Sequence, residues 1–375
     1  MRDNSNKTIY FNKDLVKKIL KILLLTIFFG LTFYTVYAVS KTLSGGNIAS
    51  LKDLLSTINP LYAVLLVLIV GLLFCTDALK YSIISKITTN KFDCKLSMSI
   101  SVMGRFYDNI TPFNTGGQPY QVYQYYKKGY PADVSTAIPI VKYIFQLIAW
   151  IFCSIILYIA NHDALRYLPE AQRIAVGSLT YIGIAIAALA PTIVILFSLF
   201  PSGIHKIIAF FIRLGVKMKI IKDYDKVDEK VVGFLEGYRQ AFVHIAKDKV
   251  GVVSLFLVSC FDFFIMMAVP YFVIMALGKT TPGGSMFFDV ITLNAYSLFA
   301  ASLVPTPGNS GAIEGVASMA FAPIPMGEGA LFWVVFMWRV CTYYIYIILG
   351  LLGTAGKFIK SRHKRRIIKK YNLNG

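Results

Sequence analysis

The chain has 375 residues, of which 56% are hydrophobic, and it carries a formal net charge of +19. Its apolar runs approach or exceed the roughly 20 residues that a helix needs to cross a bilayer core of about 30 Å. This composition excludes a soluble globular protein and indicates a polytopic membrane protein. The basic residues cluster beside apolar segments, as in membrane proteins oriented by cytoplasmic positive charge, so a nucleic-acid partner is not expected.

Six segments are predicted to span the membrane, after a basic cytoplasmic amino terminus at 1–18. A cleaved signal peptide is the competing interpretation of the first, but its apolar core is long and its small-residue cleavage site is poor. A basic loop with Lys80, Lys86, Lys91 and Lys95 is expected after the second, and a basic cytoplasmic tail at 357–375 follows the last. The predicted spans are 19–39, 60–79, 135–158, 174–200, 250–277 and 328–356.

Two further apolar segments are interrupted by proline and glycine. They lie at 96–126, which contains TPFNTGGQP, and at 287–323, which contains VPTPGNSG. Each is long enough for two short helices, and irregular backbone at membrane depth is tolerated only where it is buried in protein or lines a wet cavity. We therefore predict two re-entrant helical hairpins that line a cavity. Two ordinary extramembrane loops are the alternative.

The distribution of Lys and Arg predicts the topology. The polar section at 204–249 has apolar residues at helical spacing, which indicates amphipathic helices on the cytoplasmic membrane surface. With both termini also cytoplasmic, the two hairpins must enter from opposite faces, which is typical of an inverted repeat with a site near the midplane. The predicted fold is an all-α polytopic membrane protein with about six transmembrane helices and two opposed re-entrant hairpins, in a membrane domain at 19–356.

Ionisable residues inside membrane segments are functional candidates, because charge is costly in lipid. Arg105 and Asp108 are three residues apart, so they either serve a site or neutralise each other on one helix face. Lys142 is close enough to the start of its span to reach the cytoplasmic surface instead. Arg339 lies too deep for that, and Glu314 is its predicted partner.

Three further aspartates lie in or near the predicted spans. Asp262 lies about twelve residues into its span, where a functional role and a helix-packing role both remain open. Asp77 and Asp289 lie near predicted span ends, where solvation at the membrane interface is expected.

Glycines in the two hairpins complete the predicted substrate site. Half-helix amino termini present unpaired N–H groups that suit a phosphate, and glycine lets a headgroup approach the backbone closely. No serine or cysteine has a supporting histidine, so no catalytic residue is predicted. Five cysteines without a CxxC pair and four histidines without ligand spacing predict no metal, and no cofactor is expected. The predicted substrate-binding residues are Arg105, Asp108, Gly116, Gly117, Lys142, Gly308, Gly311, Glu314 and Arg339.

The pair of motifs GRFYDNITPFNTGGQPYQVYQYYKKG and LVPTPGNSGAIEG resembles the lysylphosphatidylglycerol synthase transmembrane-region family, also called flippase-like membrane proteins. The resemblance covers roughly residues 15–360 and includes the membrane part of the bacterial multiple peptide resistance factors. In those proteins a soluble domain transfers lysine from lysyl-tRNA to phosphatidylglycerol, and the membrane part is associated with moving the product to the outer leaflet. The chain ends at Gly375, so synthase activity of the chain alone is not expected.

The resemblance and the residues together predict an integral lipid translocase. Its cargo would be lysylphosphatidylglycerol or another anionic or polyprenyl-phosphate lipid, in a bacterial cytoplasmic membrane, with a contribution to resistance against cationic antimicrobial peptides. One alternative is a phosphatidylglycerol lysyltransferase acting with a separate synthase. Another is a non-transporting scaffold that binds lipid or a glycosyltransferase partner. A homodimer is left open.

Overall fold

A computed structural model describes residues 47–218, 223–277, 285–327 and 329–356, together with 30, 33, 34, 37–39, 41, 42 and 283. These residues form helices and turns, with one isolated β-bridge. The amino terminus at 1–18, most of the predicted first span at 19–39 and the tail at 357–375 lie outside the described residues.

The helices of the described part range from 6 to 30 residues in length. A 3₁₀ helix at His162–Tyr167 follows the fifth of them, and a π-helical turn at Val340–Tyr344 interrupts the last. In chain order they are α1 (Leu51–Ser56), α2 (Pro60–Thr89), α3 (Cys94–Asn109), α4 (Gly117–Lys127), α5 (Ala132–Ala160), α6 (Glu170–Leu199), α7 (Pro201–Lys217), α8 (Tyr224–Lys247), α9 (Lys249–Ala276), α10 (Met286–Ala301), α11 (Ala312–Phe321) and α12 (Leu331–Gly356).

Five of the described helices, α2, α5, α6, α9 and α12, are long and apolar enough to cross a membrane. They coincide with the five spans predicted after the first, so these predictions are confirmed. The second span is longer than predicted, because α2 has 30 residues. At 1.5 Å per residue it extends about 45 Å, well beyond the hydrocarbon thickness of about 30 Å.

The two broken segments fold as pairs of short helices. Residues 96–126 form α3 and α4, and residues 287–323 form α10 and α11, with a tight turn inside each pair. The section at 204–249 forms α7 and α8, as its helical spacing predicted.

The ends of α2 show how local sequence sets a helix. Pro60 occupies the first turn, where its missing N–H is not needed, and Asn59 Oδ1 accepts a hydrogen bond from Leu61 N at 3.1 Å. Asn90 ends the helix with φ 56°, a left-handed conformation that asparagine tolerates better than most residues.

Helix packing determines where the polar side chains meet. α2 packs along α9, and α5 packs on α9 as well, while α3 lies against α2. α6 and α10 pack closely at Gly183, where a Cβ atom would overlap the carbonyl oxygen of Phe299. Side chains of α2, α3, α5 and α9 meet between these four helices, in the region that we call the central space.

Candidate functional site

Five charged side chains from four helices meet in that central space. We call this group the ionic cluster, and it consists of Asp77 and Lys80 of α2, Arg105 of α3, Lys142 of α5 and Asp262 of α9. Asp77 Oδ1 lies 2.8 Å from Lys142 Nζ and 3.2 Å from Lys80 Nζ. Lys80 Nζ also lies 2.9 Å from Asp262 Oδ2. Three cations and two carboxylates leave one formal positive charge in excess.

Neutral polar groups complete the hydrogen bonding of the two carboxylates. Ser101 Oγ donates to Asp77 Oδ2 at 2.5 Å, and Thr76 Oγ1 donates to Asp262 Oδ1 at 2.7 Å. Lys80 is fully buried. Buried charges are stable only with close partners and hydrogen bonds, and this cluster supplies both.

Arg105 is the most accessible member of the ionic cluster. Its side chain is 24% exposed, and its Nη2 lies 3.5 Å from Asp77 Oδ1. Its Nε is buried and has no hydrogen-bond partner among the described residues. The other four side chains are at most 9% exposed. Arg105 is therefore the member whose charged group is most open to contact from outside the cluster.

Two expectations about these residues and one alternative interpretation are wrong. Lys80 was expected in a cytoplasmic loop and Asp77 at the interface, but α2 continues to Thr89 and carries both into the protein interior. Lys142 does not reach the surface, because Asp77 holds it at 2.8 Å. The sequence offered one signal for the first two: Asp77 and Lys80 are three residues apart, which is the spacing of a pair on one helical face.

Arg105 and Asp108 do not form the local pair that their spacing allowed. Arg105 contacts Asp77 instead, and Asp108 Oδ1 accepts a hydrogen bond from Gly117 N at 2.8 Å. Asp108 is partly exposed. A carboxylate and a guanidinium therefore lie on the same short helix, each with a separate protein partner.

A second group of charges lies at the turn between α10 and α11. Arg339 Nε donates to Glu314 Oε1 at 2.7 Å, so the predicted contact is present. Arg339 Nη2 also donates to Gly308 O at 3.1 Å and to Ser310 Oγ at 3.0 Å. Glu314 Oε2 accepts from Gly311 N at 2.6 Å. We call these five residues the tip network, and its two charged side chains are buried.

Tyr343 connects the tip network to the other broken segment. The Arg339 guanidinium lies 4.1 Å from the centroid of the Tyr343 ring, a cation–π distance. Tyr343 Oη donates to Asn109 O at 3.0 Å, and Asn109 Nδ2 donates to Tyr343 O at 3.3 Å. Tyr343 lies in the π-helical turn of α12, a local irregularity that often occurs at functional positions.

The turns of the two broken segments touch each other and share a sequence. Pro112 and Pro307 form an isolated antiparallel bridge. Each follows a threonine in the pattern Thr-Pro-x-Asn-(Thr/Ser)-Gly, at 111–116 and 306–311. In both turns the asparagine N–H donates to the threonine carbonyl, at 3.3 and 3.0 Å. The residues after proline, Phe113 and Gly308, have φ 55° and 59°, as a type II turn requires.

The amino termini that follow these turns are already occupied by carboxylates. Asp108 accepts from the first N–H of α4, at Gly117, and Glu314 accepts from Gly311, which caps α11. Gly116 N donates to Thr111 Oγ1 at 2.8 Å. Gly116, Gly117 and Gly311 were predicted to let a phosphate approach the backbone at half-helix amino termini. In the structure their N–H groups have protein acceptors, and phosphate binding there stays a prediction. Because a helix amino terminus favours negative charge, the protein's own carboxylates already take this position.

Asp289 is buried rather than solvated. It is 3% exposed, and its Oδ1 accepts from Asn161 Nδ2 at 3.0 Å. Its Oδ2 lies 3.9 Å from Nη2 of Arg166, a half-exposed residue. The expectation for Asp289 is wrong because α10 packs against the end of α5 and the 3₁₀ helix.

An open cavity of about 550 Å³ lies between α3, α4 and α12. Its walls are mostly aromatic and apolar, and Gly116 contributes backbone to them. The lining residues are Met103, Tyr107, Gly116, Pro119, Tyr120, Tyr123, Gln124 and Thr354.

Comparison with known proteins supports the resemblance of the two motifs. No curated protein matches the chain. The family described as "Lysylphosphatidylglycerol synthase TM region" matches residues 18–350, which include both broken segments and every charged residue of the two networks. The chain therefore belongs to the lysylphosphatidylglycerol synthase TM region family.

Proposed function

We propose that the protein is a lipid translocase that moves a phospholipid headgroup across the membrane through the space beside the ionic cluster. The observation that carries the proposal is the excess positive charge of that cluster together with Arg105, whose guanidinium is partly exposed and whose Nε has no partner among the described residues. A phosphate is the headgroup component that matches such a donor, because guanidinium–phosphate hydrogen bonds are charge-assisted.

Asp108 makes the proposed site suited to an aminoacylated lipid. It is partly exposed on the same helix as Arg105, three residues further along. A headgroup with a phosphate and an ammonium group, such as that of lysylphosphatidylglycerol, would find a cation and a carboxylate within one turn. We assign Arg105 to the phosphate, Asp108 to the ammonium, and the tyrosine-lined cavity to the route by which the headgroup enters.

The tip network has a different proposed role. Both oxygens of Glu314 are engaged, and Arg339 donates to three acceptors. Groups so fully bonded do not bind a headgroup without breaking those bonds. We assign Glu314, Arg339, Gly308 and Gly311 to holding the second turn against α12, rather than to substrate binding.

We propose the membrane topology that the distribution of Lys and Arg predicts. The segments α3–α4 and α10–α11 would be re-entrant hairpins that enter from opposite faces and meet at Pro112 and Pro307. Residues 308–310 of the second turn are buried, whereas residues 112–115 of the first turn are exposed. At membrane depth the first turn would therefore have to line a wet cavity. Alternating access would then move one hairpin relative to the other, with the acyl chains remaining in lipid.

The test is leaflet exchange in vesicles that contain the purified chain. Fluorescent phosphatidylglycerol, lysylphosphatidylglycerol and phosphatidylethanolamine are followed separately by chemical quenching from outside. We expect exchange of at least one of the first two lipids above the rate in empty vesicles. If none of the three lipids exchanges faster than in empty vesicles, the proposed function is wrong.

A further inference from the structure

Helix α5 carries a polar residue at every fourth position through its membrane-spanning length. We call these residues the α5 stripe: Lys142, Gln146, Trp150, Ser154 and Tyr158. Each is at most 9% exposed. The sixteen residue-to-residue steps from Lys142 to Tyr158 rise about 24 Å, most of the hydrocarbon thickness of about 30 Å.

The stripe begins in the ionic cluster. Lys142 contacts Asp77, and Gln146 Oε1 accepts from Lys80 Nζ at 3.5 Å. Trp150 then packs against Phe263, the residue that follows Asp262. A step of four residues advances the stripe about 40° beyond a full turn, so it winds from α2 towards α9 and α10.

The stripe ends beside a second carboxylate near the surface. Tyr158 stacks on Tyr296 of α10, with ring centroids 4.2 Å apart. One turn later Asn161 donates to Asp289 Oδ1 at 3.0 Å. Arg166, which lies 3.9 Å from Asp289, has 43% of its side chain exposed. This carboxylate therefore lies between the stripe and the solvent.

The middle of the stripe lacks the hydrogen bonds that buried polar groups require. Trp150 Nε1, Ser154 Oγ and Tyr158 Oη are buried, and none has a hydrogen-bond partner of normal geometry among the described residues. The Ser154 and Tyr158 hydroxyls lie near enough to interact with each other. Buried polar groups of this kind usually bind ordered water. A four-residue step rises about 6 Å, the span of two hydrogen bonds joined by one water.

We propose that the α5 stripe is a water-mediated proton pathway from Asp289 to the ionic cluster. A proton taken up by the Asp289 carboxylate passes to the first water, and each water and hydroxyl accepts one proton as it releases another. Ser154 and Tyr158 can both donate and accept, whereas the Trp150 N–H orients a water without exchanging its proton. The proton reaches the carboxylate of Asp262, which has one cation partner where Asp77 has three. It then leaves the cluster beside Arg105, whose side chain is 24% exposed, so only O–H bonds form and break.

The arrival of a proton changes the charge of the ionic cluster. Asp77 faces Lys80, Arg105 and Lys142, while Asp262 faces Lys80 and the Thr76 hydroxyl. The phenol of Tyr346 on α12 is near both carboxylates. Protonation of Asp262 raises the excess positive charge from one to two while the proton is bound, so the cluster then binds an anion more tightly. By thermodynamic reciprocity a bound anion favours the proton. This coupling to a lipid phosphate rests on the proposed function.

The experiment measures proton entry into vesicles of phosphatidylethanolamine and phosphatidylglycerol that contain the full chain and a trapped pH-sensitive dye. A potassium gradient with valinomycin makes the interior negative. We expect the vesicle interior to acidify faster than in vesicles without protein. In the double variant Ser154→Ala with Tyr158→Phe we expect this rate to fall about tenfold, the factor expected from one lost hydrogen bond. Acidification no faster than in empty vesicles, or equal in the double variant and the wild type, overturns the proposal.

The matched control is Ser297→Ala. Ser297 is equally buried, but its hydroxyl donates to Leu293 O of its own helix at 2.9 Å, so its loss should not slow acidification. If the double variant does not fold, Trp150→Phe and each single variant replace it, and each is expected to slow acidification. Lipid exchange is measured in parallel vesicles, so a failure of exchange counts against the proposed function and a failure of proton entry counts against the pathway.

Discussion

Pro112 and Pro307 lie side by side in an antiparallel bridge, at the tips of two turns built from the same pattern of residues. The bridge joins the segments α3–α4 and α10–α11, which are far apart in the chain. The first segment carries Arg105 of the ionic cluster, and the turn of the second segment accepts hydrogen bonds from Arg339 of the tip network. Any relative movement of the two segments must therefore change contacts at these turns.

Alanine at Gly308 should destabilise the protein more than alanine at Gly311. Both glycines have positive φ, 59° and 89°, which residues other than glycine rarely adopt, so each substitution incurs backbone strain of about 1–3 kcal/mol. A Cβ at Gly308 would also overlap the Tyr343 ring, whereas no atom lies within 4 Å of a Cβ at Gly311. Thermal unfolding in detergent measures the difference, and equal melting temperatures would contradict this account of Gly308.

Glu314→Gln should lower the free energy of unfolding by about 3–5 kcal/mol, because it leaves the buried Arg339 guanidinium without a counter-charge. The matched control is Glu236→Gln. Glu236 pairs with Arg239 at 3.4 Å, but both side chains are nearly half exposed. Such surface pairs contribute about 1 kcal/mol or less. Similar losses of melting temperature in the two variants would show that the tip network does not hold the turn.

The ionic cluster should show strong coupling between Asp77 and Lys142. Asp77→Asn alone leaves three cations beside one carboxylate, whereas Lys142→Met in addition removes one of those cations. We expect the double variant to be more stable than Asp77→Asn alone, with a coupling free energy of about 0.5–3 kcal/mol. Denaturation of the four proteins in a double-mutant cycle gives this value. Additive losses would mean that the two side chains act independently.

Arg105→Gln should slow the exchange of phosphate-bearing lipid about tenfold to a hundredfold, the factor expected for one lost charge-assisted hydrogen bond. The control is Arg239→Gln. This variant removes an exposed arginine on α8, a helix that contributes no residue to the ionic cluster. Exchange rates come from the vesicle assay, and melting temperatures establish that both variants fold. Unchanged exchange in Arg105→Gln would exclude this guanidinium as the phosphate ligand.

Gly183→Ala should disturb the packing of α6 on α10, since a Cβ there would overlap Phe299 O. Gly177→Ala on the same helix is the control, because its Cβ would meet only Leu165 Cδ1 at 3.8 Å. Alanine is the better helix former by about 1 kcal/mol, so Gly177→Ala should be neutral or stabilising. The two melting temperatures should therefore shift in different directions or by clearly different amounts.

Hydropathy located the spans after the first because it is a property of each segment alone. The contact of Glu314 with Arg339 could also be predicted, since a deep charge needs a partner and few were available. The repeated Thr-Pro-x-Asn pattern was present in the sequence as well, although its two copies gain significance only when their turns are seen to touch.

The sequence could not predict which charged side chains of different helices contact each other. Asp77 was placed at the membrane interface and Lys80 in a cytoplasmic loop because the apolar part of α2 ends before the helix does. Whether a charge faces water or another charge depends on which helices pack beside it, and here α3, α5 and α9 supply the partners. Likewise, the carboxylates of Asp108 and Glu314 reached the amino-terminal N–H groups only through the folding of the turns. Local composition thus fixed the membrane class and the helices, whereas long-range packing chose the partners of the charged side chains.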